Sequence, residues 1–391
     1  MLEVLEQLRA AAQARAAAGL RRSLVVRDGY LVDLASNDYL GLAQDPRVIA
    51  GAVAAAREWG AGSTGSRLVT GTTELHGALE TELADFTGAS RALVLSSGYL
   101  ANLAVITALS AALGDVLIVS DARNHASLID ACRLARSARV RPAIAPHRDV
   151  AAVRRLLADR DEQHALVVSD AVFSVDSALA PVPELHAAAR EHGALLVLDE
   201  AHALGVLGPG GRGACGQIAA EPDLVRTVTL SKSLASQGGA ILGAPEVIET
   251  VIDTGRGFIF DTGLAPACAG AALAALAVLR DDPGLGERAR VNARRLADIA
   301  AELGLAAVPP SAAVLAVTMG AAEAAVQARE ICAKNGVQAG CFRPPSVPQG
   351  QACLRLTARA SLTEGEFVVT ARALASVREH VGVDVHPLFR Q

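Results

Sequence analysis

Five short apolar runs between residues 90 and 245, RALVLSS, DVLIVSDA, HALVVSDA, ALLVLDEAH and RTVTLSKS, limit what this chain can fold into more than any other feature. Each is an unbroken Val/Leu stretch rather than an alternation, so both faces of the strand it forms must be covered. Helical patterns separate one run from the next. Strands of this kind joined by helices form a mainly parallel sheet with helices on both faces, the α/β class. Each run also ends in a polar or glycine-bearing turn: Ser97 and Gly98, Asp121 through His125, Ser169 and Asp170, Asp199 through His202, and Ser231 with Lys232. Ligands of open α/β sheets sit beyond the carboxyl ends of the strands, so these turns, far apart in sequence, converge on one site.

At 391 residues the chain has room for two or three domains of about 150 residues. Residues 1–45 read as a helix followed by the hairpin-like SLVVRDGYLVDLAS, residues 46–280 as the large domain, and residues 281–391 as a smaller C-terminal α/β domain. The last begins where DDPGLGE breaks the pattern and holds the charged helix ERARVNARRLADIAAEL, then AAVLAVTM, EAAVQAREICAKNG and CLRLTARASL with a further helix. A net charge of −5 with interspersed signs gives no basic face or acidic tail, which argues against nucleic acid or a membrane surface as partner. Six cysteines without a CxxC pair read as reduced thiols. The N-terminus carries Glu3 and Glu6 and reads as an amphipathic helix rather than an export signal, which points to the cytoplasm. Two uncharged stretches, 92–114 and 262–279, are long enough to span a membrane. SSGY and Asn102 interrupt the first, Gly263 and Pro266 the second, so buried helical and strand structure is expected instead.

Three motif-like strings carry less than they spell. GAGSTG, residues 60–65, satisfies GxGxxG but follows the helical pattern VIAGAVAAAREW, whereas a dinucleotide fingerprint requires a preceding strand. DEAH, residues 199–202, is spelled like an ATPase box, yet no GxxxxGK[ST] occurs anywhere. His125, His202 and Asp199 could be drawn as a metal triad, but nothing resembles HExxH, and hydrogen-bonding roles suit them better; no metal is expected.

The chemistry rests on lysine. Only Lys232 and Lys334 are lysines; the other 34 of the 36 basic residues are arginines. A lysine of ordinary pKa is neutral in only about one molecule in ~2,500 at pH 7, so as a free nucleophile it is poor. What it can do and arginine cannot is condense with a carbonyl. A lone lysine is ordinarily a solvated surface residue. In a chain that uses arginine almost everywhere else, a lysine kept at the carboxyl end of a strand points to covalent chemistry.

TLSKSLASQG matches at every position the lysine attachment pattern of the class II pyridoxal-phosphate enzymes. The resemblance extends over nearly the whole chain through SNDYLGLA, GAGSTGSRLVTGTTELHGALE, SSGYLANL, ARNHASLIDAC, VFSVD, LDEAH, FIFDTG and RPPSVP. Together these resemble the α-oxoamine synthases. That likeness implies a fold type I homodimer that binds pyridoxal 5′-phosphate, condenses an amino acid with an acyl thioester and releases carbon dioxide. Members that join L-alanine to a pimeloyl thioester for biotin biosynthesis, with coenzyme A or a carrier protein as donor, are the most similar. The alternatives are other members, of the glycine acetyltransferase or 5-aminolevulinate synthase type, and an aminotransferase of the same fold.

The resemblance also implies roles. Lys232 would hold the cofactor aldehyde, Asp199 its ring nitrogen, His125 its ring face and His202 its phenolic oxygen. Ser97, Gly98 and Tyr99, a strand-to-helix turn suited to phosphate, would form the cradle, with Thr229 adding a hydroxyl. Ser174 matches a position close to the cofactor, and Thr262 one that reaches the phosphate from a partner subunit. For substrate, Arg355 corresponds to an arginine that forks onto the amino acid carboxylate, its competing reading being an exposed strand-edge charge. Arg21, Asn37, His125 and Ser346 match further substrate positions, and Cys353 stands where an arginine is often found.

Overall fold

The computed structural model describes residues 2–22, 24, 26 and 29–381. In chain order the elements are α1 (Glu3–Ala17), β1 (Val32–Leu34), α2 (Pro46–Trp59), α3 (Glu74–Thr87), β2 (Arg91–Leu95), α4 (Gly98–Leu113), β3 (Val116–Asp121) and α5 (Ala126–Ala135). They continue with β4 (Val140–Ala145), α6 (Val150–Ala158), β5 (His164–Asp170), α7 (Val182–Glu191), β6 (Leu195–Asp199), β7 (Leu224–Thr229), β8 (Gly239–Gly243), α8 (Pro245–Thr254) and α9 (Arg256–Ile259). The remainder are α10 (Pro266–Asp281), α11 (Leu285–Glu302), β9 (Val314–Gly320), α12 (Ala322–Lys334), β10 (Val337–Phe342), β11 (Ala352–Thr357) and α13 (Glu364–His380). The chain divides into two compact units: Asn37–Ser174 with Ala178–Arg290, and residues up to Ser36 with Val175–Ser177 and the chain from Val291 onward.

The larger unit is built on a seven-stranded sheet in the order β2-β8-β7-β6-β5-β3-β4. All five apolar runs are strands of it, and β8 runs opposite to the other six strands. The inner strands are apolar on both faces because helices cover both. Val105 and Ile106 of α4 pack with Ile118, Val168, Val197 and Val225 of the sheet, and each is essentially inaccessible. Strand register brings acidic groups together: Asp170 pairs with Asp199, and Asp199 with Thr227, so the last residues of β5 and β6 lie side by side.

The two long uncharged stretches are accounted for by β2 with α4 and by α10. Among the described residues no helix is long and apolar enough to cross a membrane. GAGSTG follows α2, with Gly60 as its C-cap, so no strand precedes it.

The smaller unit carries a four-stranded sheet in the order β1-β10-β11-β9. Leu315, Val317, Leu354 and Leu356 of that sheet pack on Ala325, Ala328 and Leu374 of α12 and α13. Of the hairpin expected near residues 23–36, Ser23, Val25, Arg27 and Asp28 lie outside the described residues, and Val32–Leu34 pairs in parallel with β10. The strand β11 is internal, with β10 and β9 on its two sides.

Within the larger unit a charged pair is fully buried. Arg226 Nη1 donates to Glu200 Oε2 at 3.2 Å, with the side chains 1% and 0% exposed. Arg226 Nη2 also donates to the Thr87 carbonyl at 3.0 Å, and Glu200 Oε1 accepts from the Ala214 N–H at 2.6 Å. The pair thus pins the loop after β6 to the strand beside it. Removing one member leaves the other charge buried without its partner, which costs about 3–5 kcal/mol. Arg226→Ala should lower the stability of the protein by that order, read as a fall in the urea midpoint; an unchanged midpoint would show that the loop relaxes to admit water.

Candidate active site

A cavity of about 220 Å³ opens at the carboxyl ends of the parallel strands of the larger unit. Its walls come from the turn after β2, the turn before α5, the ends of β5 and β6, and β7 with the loop that follows. Ser97, Gly98, Tyr99, His125, Asp199, His202, Thr229 and Lys232, eight of the residues expected from sequence, all line it.

One wall is a helix end. Ser97 is the N-cap of α4, and its Oγ accepts from the Leu100 N–H at 3.1 Å. The first N–H groups of a helix have no intrahelical acceptor, so those of Gly98 and Tyr99 form a donor set at its positive end. Small residues are required here because backbones meet. A Cβ on Gly239 would lie 2.4 Å from the Gly98 nitrogen, and a Cβ on Gly98 would lie 3.0 Å from the Thr229 Cβ. The glycine pair after SKSLASQ is therefore a packing requirement. Tyr99 points elsewhere with its hydroxyl, which donates to Asp130 Oδ2 at 2.5 Å; that bond holds its pKa above the usual tyrosine range.

Lys232 follows β7. Its loop is held from both sides: Ser233 Oγ donates to the Leu204 carbonyl at 2.6 Å, and the Ala235 N–H donates to the Lys232 carbonyl at 2.9 Å. Ala235 adopts φ 51°, a left-handed conformation that a side chain seldom takes.

Opposite, Asp199 ends β6 and is 6% exposed. Its Oδ1 accepts from the Ala201 N–H at 2.8 Å and its Oδ2 from Asn102 Nδ2 at 2.7 Å. The Asn102 Nδ2 donates also to Ser127 Oγ at 2.8 Å, while Asn102 Oδ1 accepts from the Thr227 hydroxyl at 2.6 Å. Ser127 Oγ lies 2.7 Å from His125 Nδ1. Sequence reasoning missed Asn102, Ser127 and Thr227. The available signal was that each polar residue sits in an otherwise apolar or capped stretch of α4, α5 or β7.

Asp170 is a further site residue that sequence reasoning did not assign a role. It is 2% exposed, and its Oδ2 accepts from the His125 N–H at 2.6 Å. Burial first, and then the neighbouring Asp199, push its pKa well above the carboxylate range. Burial lowers the His125 pKa, with Lys232 acting in the same direction and Asp199 opposing, so the imidazole is neutral at pH 7. His202 is 7% exposed, and its Nδ1 lies 2.5 Å from the Tyr39 hydroxyl, which also donates to Asn37 Oδ1 at 3.1 Å. Asn37 thus reaches the cavity wall through Tyr39.

The other expected residues are not among those that line the cavity. Thr262 forms an isolated bridge with Ser66, and half-buried Ser174 closely follows the bridge residue Val172. Arg21, Ser346 and Arg355 belong to the smaller unit. Arg21 and Ser346 are exposed there, and the Arg21 carbonyl accepts from Arg343 Nη2 at 2.6 Å. Arg355 is 3% exposed on internal β11, with its guanidinium 5.3 Å from the centre of the Phe342 ring, which removes the reading of an exposed strand-edge charge. Cys353 is buried on the same strand, and burial pushes its thiol up to about 12.

Solved structures share this fold. A Sphingomonas wittichii serine palmitoyltransferase is 29% identical, with TM-score 0.89, covering 98% of this chain and 99% of its own. A structure described as SPT with PLP internal aldimine gives TM-score 0.89 at 28% identity over 98% and 100%. An 8-amino-7-oxononanoate synthase of Francisella tularensis shares the fold at TM-score 0.74 and 24% identity, over 90% and 98% of the two chains. The protein has the architecture of the fold type I pyridoxal-phosphate enzymes.

The family described as aminotransferase class I and II matches residues 30–374. Proteins named 8-amino-7-oxononanoate synthase from Mycobacterium sp. (strain JLS) and Mycobacterium avium (strain 104) are 56% and 54% identical. These matches span 373 and 380 residues, covering 94% and 96% of this chain and 94% and 97% of the relatives. The chain belongs to the aminotransferase class I and II family, in the branch of the 8-amino-7-oxononanoate synthases.

The close approach of Gly239 to Gly98 generates a test. Gly239→Ala should push the α4 N-terminus out of place and weaken binding of a phosphate monoester by about tenfold or more, on the order of 1.4 kcal/mol. Titration calorimetry with the circular dichroism spectrum unchanged would read this; wild-type affinity would remove the helix end from the site.

Proposed function

We propose that the protein catalyses the decarboxylative condensation of L-alanine with a pimeloyl thioester to give 8-amino-7-oxononanoate, carbon dioxide and the free thiol of coenzyme A or a carrier protein. The observation that carries this reading is the meeting of Lys232, Asp199 and the α4 N-terminus in one cavity of a chain 56% identical to relatives of that name.

The residues fit pyridoxal 5′-phosphate. A phosphate needs donors and positive potential, which the Gly98 and Tyr99 N–H groups provide at the end of a 16-residue helix, beside the Thr229 hydroxyl. An aldehyde needs an amine, and Lys232 supplies it. A protonated pyridine nitrogen needs a fixed carboxylate, and Asp199 is held by two donors. When bound, the cofactor supplies a carbonyl carbon and an electron-withdrawing ring.

Each protein group then has a task. Lys232 Nζ would hold the cofactor aldehyde, and its amine would be the base that takes the α-proton of alanine and returns one. The Asp199 carboxylate would pair with the ring nitrogen and hold a proton there. His202 would meet the phenolic oxygen and His125 the ring face. Ser174 stands near the cofactor, and Thr262 reaches the phosphate of a second copy, which makes the active form a homodimer. On the smaller unit Arg355 takes the alanine carboxylate, with Arg21, Asn37 and Ser346 near the substrates. That carboxylate clamp would fix the orientation of the amino acid. We place the protein in the cytoplasm, where its six free cysteines stay reduced.

Two experiments test this. After addition of pyridoxal phosphate, borohydride reduction and peptide mapping should find the label on Lys232; Lys232→Ala should lose it and Lys334→Ala keep it. Label on Lys334 would end the proposal. Labelled L-alanine with pimeloyl-CoA or the pimeloyl carrier protein should give labelled 8-amino-7-oxononanoate and carbon dioxide. A keto acid without carbon dioxide, or a preference for glycine with acetyl- or succinyl-CoA, would replace the assignment with one of its alternatives.

A further inference from the structure

His125 is the N-cap of α5, an unusual residue in that position, and it caps with a ring nitrogen: Nδ1 accepts from the Ser127 N–H at 3.3 Å. A backbone N–H can only donate, so Nδ1 carries a lone pair while the cap is made. The second contact at Nδ1 is with Ser127 Oγ at 2.7 Å, and its direction is set by the groups behind it. Asn102 has its Nδ2 against Asp199 Oδ2, an acceptor, and against Ser127 Oγ, so both Nδ2 hydrogens are donated. The Thr227 hydroxyl donates to Asn102 Oδ1 and fixes which way the amide faces. Ser127 Oγ accepts from Asn102 and therefore has its own hydrogen left for His125 Nδ1. Asn102, Ser127 and Thr227 are each 1% exposed, so no water replaces any of these partners at low cost.

We infer that Asn102 and Ser127 are positioning residues that lock His125 in the tautomer protonated at Nε2 and join it, through one unbroken chain of hydrogen bonds, to Asp199. The consequence is chemical: with Nδ1 committed inward, His125 offers the cavity a donor and no base, which leaves proton removal to Lys232. The charged and titratable groups facing the imidazole are Asp199, Lys232, Asp130 and, at its backbone N–H, Asp170. A neutral ring is needed for the lock, and the lowered His125 pKa supplies it. The inference deepens the cofactor reading by giving His125 a fixed donor, but the hydrogen bonds that carry it need no cofactor.

The test is a long-range proton–nitrogen correlation spectrum of full-length protein labelled at histidine nitrogen, at pH 7 and without added pyridoxal phosphate. His125 is assigned by the signal missing in His125→Gln. Wild type should show Nε2 protonated and Nδ1 bare. Ser127→Ala, which removes one buried oxygen, should shift the tautomer ratio roughly fivefold to tenfold toward Nδ1–H, the size expected for one lost hydrogen bond. Ser127→Thr should restore it, and Asn102→Leu should shift it as Ser127→Ala does. A wild-type ring protonated at Nδ1, or a ratio indifferent to Ser127→Ala, would overturn the inference. Failure of the protein to take up pyridoxal phosphate would strike at the proposed function instead and leave this result standing.

Discussion

The amide of Asn102 is the constraint on which the cavity depends. It sits in α4, a helix with no charge and an almost wholly apolar surface, and both its hydrogens and its oxygen are spent on Asp199, Ser127 and Thr227. A buried polar network is stable only when every member is satisfied, and this one draws members from α4, α5, β6 and β7. It works because parallel register sets the end of β6 beside β7, so the Asp199 carboxyl and Thr227 hydroxyl face the same amide. Moving either strand by one residue would turn the partner to the opposite face of the sheet and leave a carboxyl group buried alone.

Helix packing and chemistry are coupled through the same helix. Its N-terminus, crowded against Gly239 and Thr229, faces the cavity with free N–H groups, while Asn102, within its first two turns, fixes the proposed counter-ion. One rigid element thus sets the distance between the phosphate cradle and the acidic end of the cavity. The lysine lies on a different element, in a loop fastened by Ser233 and by the left-handed Ala235.

Much of this was legible in the sequence because it rests on patterns that composition alone enforces. The five unbroken apolar runs became five strands of one sheet, since only double-sided burial tolerates such composition. The polar turns that close them became the cavity, and eight expected residues line it. Three strands escaped notice, among them β10, VQAGCF, whose apolar residues are interrupted by Gln338 and Gly340. β4 is an edge strand holding Pro142 and the exposed Arg141, and β8 is the short, glycine-bounded GAILG, so neither presents a Val/Leu run. β1 was visible as an apolar stretch, but its parallel partner is about 300 residues away, beyond any local turn signal. Asn102, Ser127, Thr227 and Tyr39 were not singled out because their importance lies in which hydrogen each gives to which lone pair. Spacing along a chain does not encode that.

Lys232 and Asp199 are proposed to hold opposite ends of one pyridoxal phosphate, and a crystal structure of the protein grown with that cofactor measures this directly. Continuous density from Lys232 Nζ to the cofactor, with the ring nitrogen about 3 Å from an Asp199 oxygen, is the expected result. A ring nitrogen turned toward solvent, or a cofactor bound away from the α4 N-terminus, would contradict it.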